Sequence, residues 1–118
     1  MTEAILVIVS CREDEAQSIA QPLIEEKLAA CVSIIPAIKS MYVWKGEFCQ
    51  EQESLLLIKT SRACWSDLEK RIKALHSYTV PEILAISIEA GHKPYLEWLH
   101  EATAKRSAAR SAIQPNGM

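Results

Sequence analysis

The stretch Val32–Thr60, VSIIPAIKSMYVW-KG-EFCQEQESLLLIKT, decides how this chain folds. Its first half is rich in Val, Ile, Met, Tyr and Trp, interrupted by Pro36. Gly46 supplies a turn, and Glu47 to Thr60 returns as a second strand ending in the apolar run Leu55 to Ile58. Proline cannot donate to a ladder, so Pro36 marks a bulge or an edge position. Each strand of this hairpin has room for about thirteen residues, roughly 40 Å at ~3.3 Å per residue.

Upstream, Glu3 to Ser10 reads as a buried strand, apolar on both sides and central in its sheet. Asp14 to about Ala30 reads as a helix, because Ala16, Ile19, Ala20, Leu23, Ile24 and Leu28 fall on one face. Pro22 removes one of its backbone hydrogen bonds and is expected to kink it. Downstream, Arg62 to His76 is a second helix with Trp65, Leu68, Ile72 and Leu75 on one face. Ser77 to Pro81 reads as loop and Glu82 to Ile88 as a fourth strand. Lys93 to about Lys105 is a third helix presenting Tyr95, Leu96, Trp98, Leu99 and Ala102.

This order, βαββαβ plus a helix, predicts an α+β, ferredoxin-like fold with antiparallel strand order 4-1-3-2. Residues 1–105 form the expected single domain, and 106–118 a flexible tail. The first strand is too short to pair along the whole hairpin. The overhanging ribbon exposes Met41, Tyr42, Val43, Trp44 and Phe48, an apolar edge that invites another chain. A symmetric oligomer sharing hairpins is the expected remedy. The competing arrangement folds the ribbon back on its own domain at Pro36.

At 118 residues the chain holds one hydrophobic core. Its formal net charge of −2, with Lys and Arg scattered, argues against a nucleic-acid binder. The Ala4 to Val9 run is too short to span a membrane and lacks the preceding basic segment of a signal peptide, so the expected location is cytoplasmic. Cys11, Cys31, Cys49 and Cys64 are unevenly spaced with no C-x-x-C pair, which predicts reduced, mostly buried thiols. The three glycines form no phosphate-binding cluster, and no hydrolase signature is present, so no enzyme is expected.

Topology brings Cys11 and His76 together. Strands one and four are antiparallel neighbours in this fold, so the end of one lies beside the start of the other. Lys59, Tyr78, Glu82, Tyr95 and Trp98 form a second candidate group, a pocket between subunits in which Lys59 binds an anion. Lys59 and Glu82 lie far apart on one sheet, so this pocket requires a neighbouring chain. A competing role for these residues is a lysine closing a strand and aromatics filling the core.

Six stretches carry a family resemblance: Glu26–Val32 (EKLAACV), Tyr42–Glu47 (YVWKGE), Leu57–Thr60 (LIKT), Leu75–Tyr78 (LHSY), Val80–Ile83 (VPEI) and Tyr95–Leu99 (YLEWL). In this order they resemble the CutA family of divalent-ion tolerance proteins, over about Ala4 to Leu99. The resemblance implies a trimeric, ferredoxin-like, cytoplasmic protein linked to tolerance of copper and other divalent ions and able to bind copper. Cys11 and His76 match the family's Cys-plus-His copper pairing, and a thiolate with an imidazole suits either copper oxidation state. Two departures fall near that site. The family histidine is usually followed by proline, where this chain has Ser77, and the turn Cys11-Arg12-Glu13-Asp14 is one residue shorter than usual. The architecture also resembles the PII signalling trimers, which bind small molecules between subunits. An acylphosphatase-like hydrolase ranks last, because Arg12 lacks a Gly-rich anion loop and a partner asparagine.

Overall fold

A computed structural model describes residues 2–104. Strands β1 (Ala4–Cys11), β2 (Cys31–Trp44), β3 (Glu47–Ser61) and β4 (Ile83–Ser87) form one antiparallel sheet ordered β2-β3-β1-β4. Helices α1 (Ala16–Glu25), α2 (Trp65–Leu75) and α3 (Lys93–Ala102) complete the chain, with one-turn 3-10 helices at Glu13–Glu15 and Arg62–Cys64 preceding α1 and α2. This is the expected α+β order of four, one, three, two. The proposed tail, 106–118, lies outside the described residues.

The core follows the two-residue period of the strands. Ile5, Val7, Val9 and Cys11 of β1 and Leu56 and Ile58 of β3 point to one face. Ile19 and Leu23 of α1 and Leu68 and Ile72 of α2 cover them. The opposite face carries Leu84 and Ile86 of β4, both about half exposed.

Helix α1 ends five residues earlier than its apolar pattern suggests. Lys27 takes the left-handed conformation (φ 61°), the Lys27 N–H donates to Ile24 O, and the Leu28 N–H donates to Leu23 O. This is a Schellman stop, in which Leu28 turns back to pack on the core. Pro22 lies inside the helix, as expected.

The hairpin outreaches its sheet. β1 pairs with β3 only as far as Cys11 opposite Ser54, so residues 38–53 form a two-stranded arm. Its turn is Lys45-Gly46, both with positive φ (51° and 82°), the type I′ geometry that matches the strand twist. Where the arm leaves the sheet, Pro36 and Ala37 of β2 bulge out opposite Ser54, and Ala37 is left-handed at φ 61°. Pro36 thus sits both on an edge strand and in a bulge. The arm projects rather than folding back: the molecule measures 54 × 29 × 22 Å. Met41, Val43, Trp44 and Phe48 along it are 51–68% exposed.

Candidate functional site

Cys11 closes β1, and His76 follows directly on α2 as its cap. The antiparallel pairing of β1 with β4 brings the two elements to one corner, where His76 Nε2 lies 2.8 Å from Ser10 O. The Tyr78 N–H donates to His76 Nδ1 (3.1 Å), which makes Nε2 the protonated nitrogen and the donor to Ser10 O. Tyr78 packs its ring against the imidazole, with centroids 4.6 Å apart. The His76 side chain is fully buried, and both of its nitrogens are engaged.

Three carboxylates surround this corner. Glu15, from the turn after β1, accepts from the Ser77 N–H and hydroxyl, and one of its oxygens lies 3.6 Å from His76 Nδ1. Ser77 therefore has a definite role, because its hydroxyl fixes Glu15 at the corner. Glu53, nearly buried on β3, accepts from the Tyr78 phenol at 2.6 Å. Glu82 accepts from the Ser10 hydroxyl at 3.2 Å.

Burial pushes the Cys11 thiol up to about 11, with Glu15, Glu53 and Asp14 adding negative charge that disfavours the thiolate further. Burial and the bond to Glu53 likewise push the Tyr78 phenol far up. As folded, the corner is not a preformed metal site. Cys11 ligates only after losing its proton, and His76 only after giving up a hydrogen bond. Among the described residues, no group of three or more His, Cys, Asp or Glu side chains is arranged to hold a metal ion.

The second candidate group divides between two places. Tyr78 and Glu82 belong to the corner just described. Lys59 belongs to the other end of the sheet, six residues beyond Glu53 on β3, or roughly 20 Å at ~3.3 Å per residue. There its ammonium donates to Ser33 Oγ and lies 3.8 Å from Cys31 Sγ. Burial pushes the Tyr95 phenol up, and Cys31 lies near enough to add to this when its sulfur is charged. Tyr95 in turn contacts Trp98, with ring centroids 5.5 Å apart, and both aromatics are over 40% exposed. Lys59, Tyr95 and Trp98 thus share one surface, on which no described carboxylate forms a salt bridge with Lys59.

The remaining candidates are dispersed. Cys64 is buried beside α2 and donates to Thr103 O, while Cys49 lies on the arm. All four cysteines are free thiols. His92 and His100 are exposed. Sequence reasoning missed Glu15 and Glu53 as corner residues. Register was the available signal for Glu53, since Ser54 pairs with Cys11. No described helix is long and apolar enough to cross a membrane.

Comparison with known proteins matches residues 5–102 to the family described as CutA1 divalent ion tolerance protein. The divalent-cation tolerance protein CutA of Thermus thermophilus is 50% identical over 103 residues, 87% of this chain and 99% of its own length. A solved structure of the divalent cation tolerance protein from Thermus thermophilus superposes with TM-score 0.83 at 47% identity, covering 86% of this chain and 99% of that one. A solved PII-like protein CutA from Nostoc sp. PCC 7120, in apo form, superposes with TM-score 0.81 at 32% identity, covering 85% and 97% respectively.

Proposed function

Because the chain belongs to the CutA1 divalent ion tolerance family, we propose that it is a non-enzymatic homotrimer of the divalent-ion response, binding copper weakly at the Cys11–His76 corner. The observation that carries this reading is the meeting of Cys11, His76 and the carboxylates of Glu15, Glu53 and Glu82 at one end of the sheet. The carboxylates give the corner a negative potential that attracts cations, and sulfur with imidazole favours copper among them. Binding displaces the thiol proton, so affinity is low at neutral pH and rises as the pH is raised. The arm supports self-assembly, since its exposed apolar residues gain a partner in a second copy.

Titration of Cu(II) into the wild type and the Cys11→Ala/His76→Ala variant tests the site. The expected result is at least a tenfold loss of affinity in the variant; equal affinity would remove these residues from the site.

A second reading, a PII-like sensor of small anions, is favoured by the surface around Lys59. There a cation beside Tyr95 and Trp98 has hydroxyl and thiol partners. A neighbouring subunit bringing Tyr78 and Glu82 opposite this surface completes a cleft. Thermal-shift measurements with nucleotides and small organic anions test it, and no stabilisation across such a panel counts against the sensor.

A further inference from the structure

We propose that Glu13 and Tyr78 latch the hairpin arm to the Cys11–His76 corner, so that a change at the corner re-aims the arm about the Pro36–Ala37 bulge. The coupling to copper rests on the function proposed above; the latch itself does not.

The arm loses its support from β1 beyond the Cys11–Ser54 pair, and the bulge in β2 falls at the same level. A bulge at the root of a two-stranded ribbon is the place where the ribbon bends most easily. Glu13 bridges the two strands at this point. One of its carboxylate oxygens accepts the N–H of left-handed Ala37 on β2, and the other accepts from the Gln52 amide at 3.1 Å on β3. Tyr78, from the loop after α2, holds the adjacent Glu53 on β3. These contacts fix the arm's direction from two sides.

Both anchors belong to the corner. Glu13 and Glu15 share a single 3-10 turn immediately after Cys11, Glu13 facing the arm and Glu15 facing Ser77 and His76. Tyr78 donates its backbone N–H to His76 Nδ1 while its phenol holds the arm. Drawing Cys11 or His76 toward a cation therefore moves the turn bearing Glu13 or the loop bearing Tyr78. Either movement slackens a contact at the arm's root. The arm carries an exposed apolar strip, so its direction also sets how copies of the chain meet.

Hydrogen–deuterium exchange of the full chain, with and without Cu(II), tests the latch. In Glu13→Ala the amides of residues 38–53 are expected to exchange about three- to tenfold faster, the worth of roughly one exposed charge-assisted hydrogen bond. The amides of β1 keep their wild-type rates. Glu13→Gln retains an acceptor for Ala37 and gives an intermediate rate; it decides the matter if the alanine variant loosens the whole domain. Wild-type exchange in the arm of both variants overturns the latch. Copper is expected to change arm exchange in the wild type and to lose that effect in Glu13→Ala. An equal copper effect in both overturns the coupling. Absence of copper binding to the wild type, with the arm still loosened in Glu13→Ala, overturns the copper reading and leaves the latch standing.

Discussion

Replacing Phe48 with glutamate tests the arm as the assembly element. Phe48 is 68% exposed and lies across from Val43, itself 67% exposed, near the tip of the ribbon. A phenylalanine side chain buries roughly 200 Å², so about two-thirds of that, roughly 130 Å², is free for a partner to cover. At ~25 cal/mol per Å² this contributes about 3 kcal/mol for each chain, or about 10 kcal/mol for a trimer. Glutamate forfeits that gain and adds the cost of desolvating a charge. Phe48→Glu is therefore expected to run as a folded monomer at micromolar concentration, and the wild type as the proposed trimer. Light scattering after size exclusion reads the mass, and circular dichroism confirms the fold. Gln50→Glu is the control, because it adds the same charge at a polar position on the same strand; it is expected to stay trimeric. A monomeric wild type, or a Phe48→Glu protein of trimer mass, would refute the reasoning.

Three further substitutions probe the scaffold and the corner. Lys27→Gly removes a side chain from a left-handed helix stop, so it is expected to stabilise the protein by about 0.5–1 kcal/mol in urea unfolding, after glycine's own entropy cost. Tyr78→Phe leaves the nearly buried Glu53 without its phenol donor and is expected to cost about 1–3 kcal/mol. For Cys11 the native thiol is raised from 9.0 to about 11, so the folded state holds its proton more tightly than the unfolded chain. That contribution, about 2–3 kcal/mol, is present below pH 9 and is lost as the pH rises toward 11. The difference in unfolding free energy between the wild type and Cys11→Ala is expected to shrink across this window; a constant difference would contradict it.

The sheet was legible because its signals are local and periodic. The Val32–Thr60 run placed the hairpin within a residue or so at its ends, and Pro36 marked the bulge. The end of α1 was not legible, since Glu26-Lys27-Leu28 continues a helical pattern and no glycine announces the stop. Tertiary packing of Leu28 and two backbone hydrogen bonds end the helix instead. At the corner, strand order alone was enough to set His76 against the end of β1, at Ser10. What strand order does not convey is where each polar atom is spent. That both His76 nitrogens are engaged, and that Glu15 is held by Ser77, depends on loop geometry that no spacing rule encodes.

The two-residue turn at Lys45-Gly46 also constrains how this arm can change length. Along each strand, successive side chains alternate between faces, so one added residue on either strand exchanges the faces of everything beyond it. The tip tolerates growth or shortening only by two residues on each strand at once. Any other insertion moves Phe48 and Val43 to the face now held by Tyr42 and Cys49, or adds a second bulge to absorb the slip. The arm's reach is thus quantised in steps of about 7 Å, and a lineage of such chains is expected to vary in arm length by whole steps or not at all.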